Sequence, residues 1–155
     1  MSEQTAIKFQ PQVGVGLMVF REYNGKWQIL LHRRMKVTSG SGYWGSGGGF
    51  LDYGESLLKG AVREFHEEAG DNIKIENVRL LGICNFLDFA PYHSLDVSFV
   101  ADWVSGEPEA AKNGEAVEWH WFDLDGLPEP LFPVVEKYLQ KYTAGSSFAF
   151  IDGGR

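Results

Sequence analysis

Gly48-Gly49-Phe50-Leu51-Asp52-Tyr53-Gly54-Glu55, then Ser56 to Val62, then Arg63-Glu64-Phe65-His66-Glu67-Glu68-Ala69-Gly70, runs a glycine-dense turn into a helix that gathers acid on one side. The helix follows from period: Leu58, Ala61, Val62, Phe65 and Ala69 keep the i, i+3, i+4, i+7 spacing of one apolar stripe. Ser56 suits the N-cap, although Lys59 at its N3 position gives no capping box. Gly70 suits the C′ position, where a left-handed turn strains any residue with a Cβ. Glu64, Glu67 and Glu68 stand at i, i+3 and i+4 and share a second face, with Gly60 one turn back on it.

That acidic face is costly. Like charges one turn apart cost a few tenths of a kcal/mol per pair, and a mid-helix glycine costs about 1 kcal/mol against alanine. A hard divalent cation reverses the electrostatic cost, because Mg²⁺ takes oxygen ligands and shares its coordination with substrate phosphates. Gly60 would then leave room beside the metal. Acidic helix faces elsewhere are usually just solvated; the glycine turn leading into this one sets it apart.

The spacing also carries a resemblance. Gly49, five residues, Glu55, seven residues, Arg63-Glu64, the bulky Phe65, one residue, Glu67-Glu68, one residue and Gly70 resemble the Nudix box of the pyrophosphate-bond hydrolases. Many fixed positions at fixed spacing make a stronger signal than a lone glycine motif. Three positions depart from the pattern: Asp71 stands where an aliphatic residue is usual, Gly47 where many relatives have proline, and Phe65 where Leu, Ile or Val is usual. None removes a carboxylate. Ile73 is positioned to do the packing that Asp71 does not.

The rest of the chain sets bounds. Its 155 residues suffice for one domain with a real core, expected over 1–155 with an N-terminal arm (1–12) and a C-terminal tail (146–155). The net charge of −7 argues against nonspecific binding to nucleic acid or an anionic membrane, so a phosphate-bearing ligand needs a metal or a local basic cluster. One cysteine, Cys84, allows no internal disulfide and suits a reducing cytosol, either as a core residue or otherwise. Met1 to Gln12 has no signal-peptide core, and no apolar run is long enough to span a bilayer.

Strands precede and follow the acidic helix. Val13 to Phe20 and Trp27 to His32 flank Asn24-Gly25, a strong hairpin signal, and the glycines at 14 and 16 suggest close approach by a neighbouring strand or a ligand. Val78 to Cys84 and Asn85 to Phe89 read as strand segments. Leu95 to Ala101 alternates, with Val97, Phe99 and Ala101 on one face and Asp96, Ser98 and Val100 on the other. Glu115 to Phe122 returns to a strand. Leu131, Val134, Val135, Tyr138, Leu139 and Tyr142 keep helical period, with Pro130 placed to open that helix. Phe148 to Ile151 gives the tail an apolar centre that could fold back or meet a second copy. This order predicts a mixed sheet with helices on its faces; the resemblance narrows it to the Nudix α/β/α sandwich over roughly Pro11 to Tyr142.

The resemblance implies a Mg²⁺- or Mn²⁺-dependent hydrolase of a phosphoanhydride bond in nucleoside diphosphates linked to some group X. Glu67 and Glu68, with Glu64, would hold the metal, and the Gly49 carbonyl would add a ligand. Arg63 would orient Glu55 or Glu64 by a bidentate contact, or form a plain surface salt bridge. The general base would be one of the three helix acids, or Glu115 or Glu118 before the Trp119–Phe122 strand; His93 and His120 are further candidates. Arg33, Arg34 and Lys36, the densest basic cluster, read either as phosphate steering or as surface charge. Phe86, Phe89 and Tyr92 read either as a rim for a base or as core. A nucleoside triphosphate pyrophosphatase heads the expectations, followed by hydrolysis of nucleotide sugars or ADP-ribose, a non-catalytic nucleotide sensor, and an isoprenoid diphosphate isomerase. The expected partner is a small nucleotide in the cytoplasm, with no nucleic acid or membrane, and small relatives often pair as homodimers.

Overall fold

The computed structural model of the chain describes residues 10–37 and 39–153. The expected arm falls outside them except for residues 10–12. Eight strands form one mixed sheet: β1 (Gln12–Tyr23), β2 (Lys26–Arg34), β3 (Trp44–Gly45), β4 (Gly47–Phe50), β5 (Lys74–Phe86), β6 (Ser94–Ser105), β7 (Ala116–Asp123) and β8 (Ala149–Asp152). The helices are α1 (Leu57–Ala69) and α2 (Pro133–Thr143).

β1 is the hub. It turns into β2 at Asn24-Gly25, both residues at positive φ (50° and 76°), as a two-residue hairpin turn requires. Its first half lies between β4, antiparallel, and β6, parallel, so that Gly14 and Gly16 stand opposite Asp96 and Ser98 on one side and Phe50 and Gly48 on the other. β5 extends the sheet beyond β6, while β7 pairs with β2.

Alternation along the strands sends side chains to two cores. On one face Val15, Leu17, Val19, Val97, Phe99 and Ala101 pack against Ala61, Phe65 and Ala69 of α1, with Ile73 fully buried in the same cluster. On the other, Met18, Phe20 and Val100 pack against Val134, Val135, Tyr138 and Leu139 of α2. Helices thus cover both faces, the α/β/α sandwich anticipated from the sequence.

Three local expectations need revision, and the choice left open for the tail is decided. Leu58 is exposed; it lies in line with Phe65 two turns back, so support from the sheet ends before the first turn of α1. The segment after α1 is one strand, β5, which begins at Lys74 and stops at Phe86. Pro133, not Pro130, opens α2 from its first turn, where a missing N–H costs nothing. The C-terminal tail folds back: β8 pairs in parallel with β5, Gly82 opposite Ala149. Among the described residues no helix is long and apolar enough to cross a membrane.

Candidate active site

The glycine turn and α1 meet face to face. Gly47 and Gly49 of β4 point the positions of their missing side chains at the helix. A Cβ on Gly47 would lie 2.9 Å from the Phe65 ring, and one on Gly49 would overlap the Glu64 carboxylate. The glycines therefore let α1 approach until its acids lie over the backbone of β4. Ser56 caps the helix by accepting from the Lys59 N–H at 3.3 Å. Gly70 ends it at φ 81°, its N–H donating to the His66 carbonyl.

Each acid has a different anchor. The Gly48 N–H donates to Glu68 Oε1 at 2.7 Å, and Glu68 Oε2 lies 3.3 Å from His32 Nε2. His32 is 1 % exposed, its ring rests on Trp119, and its Nδ1 has no partner. Arg63 gathers the others. It forks onto Glu55 with Nε to Oε2 at 3.0 Å and Nη2 to Oε1 at 2.6 Å. Its Nη1 donates to Glu64 at 2.8 Å and Glu67 at 3.2 Å, and its Nη2 also to the Phe50 carbonyl. The Arg63 fork, helped by the Asp52 N–H, holds the Glu55 carboxyl down at about 2. Glu64 moves the other way: burial raises it, Arg63 opposes, and the charges of Glu67 and Glu68 add to the rise. Gly60 serves this arrangement rather than the metal face, because a Cβ there would sit 2.8 Å from Glu55 and 2.9 Å from Leu51.

Beside the acids opens a cavity of about 530 Å³, within the usual range for small-molecule sites. Glu64, Glu67, Glu68 and Gly49 line one end; Phe86, Phe132, Val134, Val135 and Tyr138 wall the other, with Gly14 and Gly16 as its floor. Arg34 and Lys36 also line it, as does Glu115. Arg34 stacks 4.0 Å from the Phe132 ring centre and donates through Nη2 to the Ser39 carbonyl, leaving a buried Nε without a partner.

The structure does not bring the remaining sequence candidates to this cavity. Arg33 points outward and pairs with Glu118 at 3.1 Å, so this cation and this acid satisfy each other at the surface. Phe89 is packed among Phe86, Phe132 and Tyr43, and Tyr92 lies off the lining. His32, Asp96 and Ser98 are among the lining residues to which the sequence assigned no site role. A polar pair at 96 and 98 on the face that carries Val100 was the available signal for two of them.

The residues fit a divalent cation. Glu64, Glu67, Glu68 and the Gly49 carbonyl offer the hard oxygen donors that Mg²⁺ and Mn²⁺ take, and burial leaves the Glu64 charge only partly offset. Among the described residues no three His, Cys, Asp or Glu side chains converge so as to hold a metal by themselves; Mg²⁺ commonly keeps waters and substrate oxygens in its shell.

Comparison with known proteins bears on the family. A family model described as NUDIX domain matches residues 10–142. An ADP-ribose pyrophosphatase of Methanocaldococcus jannaschii is 34% identical over 116 residues, 74% of this chain and 65% of that protein. An NAD-capped RNA hydrolase NudC of Pseudomonas aeruginosa is 34% identical over 102 residues, 65% of this chain and 34% of that protein. The chain thus spans just under two thirds of the first relative's length and about a third of the second's. A crystal structure of a MutT NUDIX hydrolase from Burkholderia pseudomallei superposes with a TM-score of 0.74 at 34% identity, covering 84% of this chain and 97% of that one. Helix acids over a glycine turn, the sheet that carries them and the similarity along most of the length lead to one conclusion: this chain belongs to the Nudix hydrolase family.

Proposed function

We propose that the chain hydrolyses nucleoside triphosphates to nucleoside monophosphate and pyrophosphate, using Mg²⁺ or Mn²⁺. The observation that carries this reading is one cavity lined both by the acids of α1 and by aromatic side chains, with Arg34 and Lys36 also in its lining. Phosphoryl transfer asks mainly for positioning and charge neutralisation. Glu64, Glu67, Glu68 and the Gly49 carbonyl would hold the metal, which supplies charge neutralisation and a more acidic water. Arg63 keeps Glu55, Glu64 and Glu67 in place, and Arg34 and Lys36 receive the phosphate tail. A triphosphate carries more charge than a diphosphate bridge, which suits two cations together with a divalent ion. Glu115, the one candidate base outside α1 that lines the cavity, or one of the helix acids, takes the proton from the attacking water.

The relative from M. jannaschii favours a second reading, hydrolysis of ADP-ribose. The P. aeruginosa relative, named for an NAD-capped RNA, makes a capped RNA end a further arm of the test. A sensor without catalysis is disfavoured because every box carboxylate is present. A cytoplasmic location and a homodimer belong to this proposal as well. The test is a Mg²⁺-dependent panel of GTP, ATP, CTP, ADP-ribose, UDP-glucose and NAD-capped RNA with products resolved. Triphosphates yielding pyrophosphate support the proposal; turnover of ADP-ribose alone transfers it to the second reading.

A further inference from the structure

One acid in the cavity has no place in that chemistry. Asp96 lies on β6 opposite Gly14, on the wall shared with Phe86, Phe132 and Tyr138. Its Oδ1 accepts from the Ser98 hydroxyl at 2.7 Å, and its backbone carbonyl accepts from the Tyr138 hydroxyl at 3.1 Å, which ties the strand to α2. The floor beneath it is stripped of side chains: a Cβ on Gly14 would sit 3.5 Å from Asp96 Oδ2, and one on Gly16 would sit 2.8 Å from the Ser98 hydroxyl. Among the described residues no cation pairs with it, and burial pushes its carboxyl up to about 6 against the Ser98 and Tyr138 hydroxyls. A carboxylate accepts at both oxygens, each with two lone pairs. Ser98 uses one of these sites and the Tyr138 hydroxyl donates to the backbone carbonyl, which leaves acceptor capacity on the carboxylate beside the Phe86 and Phe132 rings. Keeping such a group costs stability unless a ligand completes it.

We propose that Asp96, positioned by Ser98 over the Gly14–Gly16 floor, is a specificity-determining residue that accepts two adjacent N–H donors from a guanine-type base edge. Guanine presents its ring imino and exocyclic amino hydrogens side by side. Adenine and cytosine set an acceptor next to their amino group, and that acceptor faces the carboxylate unfavourably. The Phe86 and Phe132 rings, 5.4 Å apart, supply the apolar wall for the base. The assignment deepens the nucleotide reading above and rests on it.

The test compares wild type with Asp96→Asn, an isosteric change that keeps a partner for Ser98 but replaces one acceptor by a donor. Steady-state kcat/KM is measured for GTP, ITP and ATP, and GMP and AMP binding is measured by calorimetry in EDTA, independently of the metal. The expected wild-type order is GTP, then ITP, then ATP. Asp96→Asn is expected to lower kcat/KM for GTP about 10- to 100-fold without lowering that for ATP, and to weaken GMP but not AMP. A general loss of structure would lower both nucleotides together. Equal rates on GTP and ATP in wild type, or an unchanged GTP to ATP ratio in the variant, would overturn the assignment. If no triphosphate is hydrolysed at all, the proposed function falls, and the GMP and AMP titrations still decide the role of Asp96.

Discussion

Gly49→Ala adds one methyl group at the place where β4 and α1 come closest. The backbone there is not in the left-handed region, so alanine can adopt it. The added carbon overlaps the Glu64 carboxylate, which must move. Forcing a methyl group into a filled space costs about 1–3 kcal/mol. Restricting the unfolded chain returns about 0.4–1 kcal/mol. The net loss of stability is therefore between zero and about 2.6 kcal/mol, at the upper end roughly 5–10 °C in Tm for a chain of this size. The effect on metal binding is larger, because disturbing a ligand's support costs about 10–100-fold in affinity. Thermal unfolding monitored by circular dichroism and Mn²⁺ titration followed by electron paramagnetic resonance measure the two effects separately. A variant that folds nearly as well as wild type but binds Mn²⁺ at least tenfold more weakly agrees with the reasoning. Wild-type Mn²⁺ affinity would refute it, since Glu64 would then not need the space that glycine leaves.

Three further outcomes are expected. Glu67→Gln lowers kcat by two or more orders of magnitude with the circular dichroism spectrum unchanged, because a charge on the acid face is lost; near wild-type turnover would remove Glu67 from the ligand set. EDTA abolishes hydrolysis and Mg²⁺ restores it, as a rate assay before and after chelation will read; activity that survives full chelation would eliminate the metal mechanism. Asp96→Asn stabilises the fold at neutral pH. The folded-state value of about 6 lies above the ordinary value of about 3.9, so Asp96 favours folding below about pH 4 and loses that contribution as pH rises through 6. The variant's advantage should open over that window and reach about 2 kcal/mol above it, after allowance for the open cavity. Urea unfolding at pH 4.5 and pH 7.5 checks it, and an advantage equal at both would count against the perturbed carboxyl.

Much of the fold was legible because it rests on short-range signals. Asn24-Gly25 names its turn, the alternation at Val97, Phe99 and Ala101 names a buried face, and the spacing of Glu64, Glu67 and Glu68 places them on one side of a helix. What was not legible depends on which faces meet. Arg33 and Arg34 are neighbours in sequence, yet the pairing of β2 with β7 sends one to a surface contact with Glu118 and the other to the cavity over Phe132. Leu58 keeps perfect helical period and is still exposed, because period gives a direction but not the extent of the supporting sheet. His32 ends a strand in the sequence; only the fold sets it against Glu68. Gly60 likewise looked like room for a metal until the fold placed Glu55 and Leu51 there.

The central claim is that the acids of α1 hold a divalent ion against a nucleotide's phosphates. Anomalous diffraction from crystals soaked with Mn²⁺ and a nucleoside triphosphate analogue tests it most directly. A manganese peak within ligand distance of Glu64, Glu67 or Glu68, with the phosphates beside it and the base toward Phe86 and Phe132, is the predicted result. A nucleotide bound elsewhere, with the acid face of α1 bare of manganese and hydrated, would contradict it.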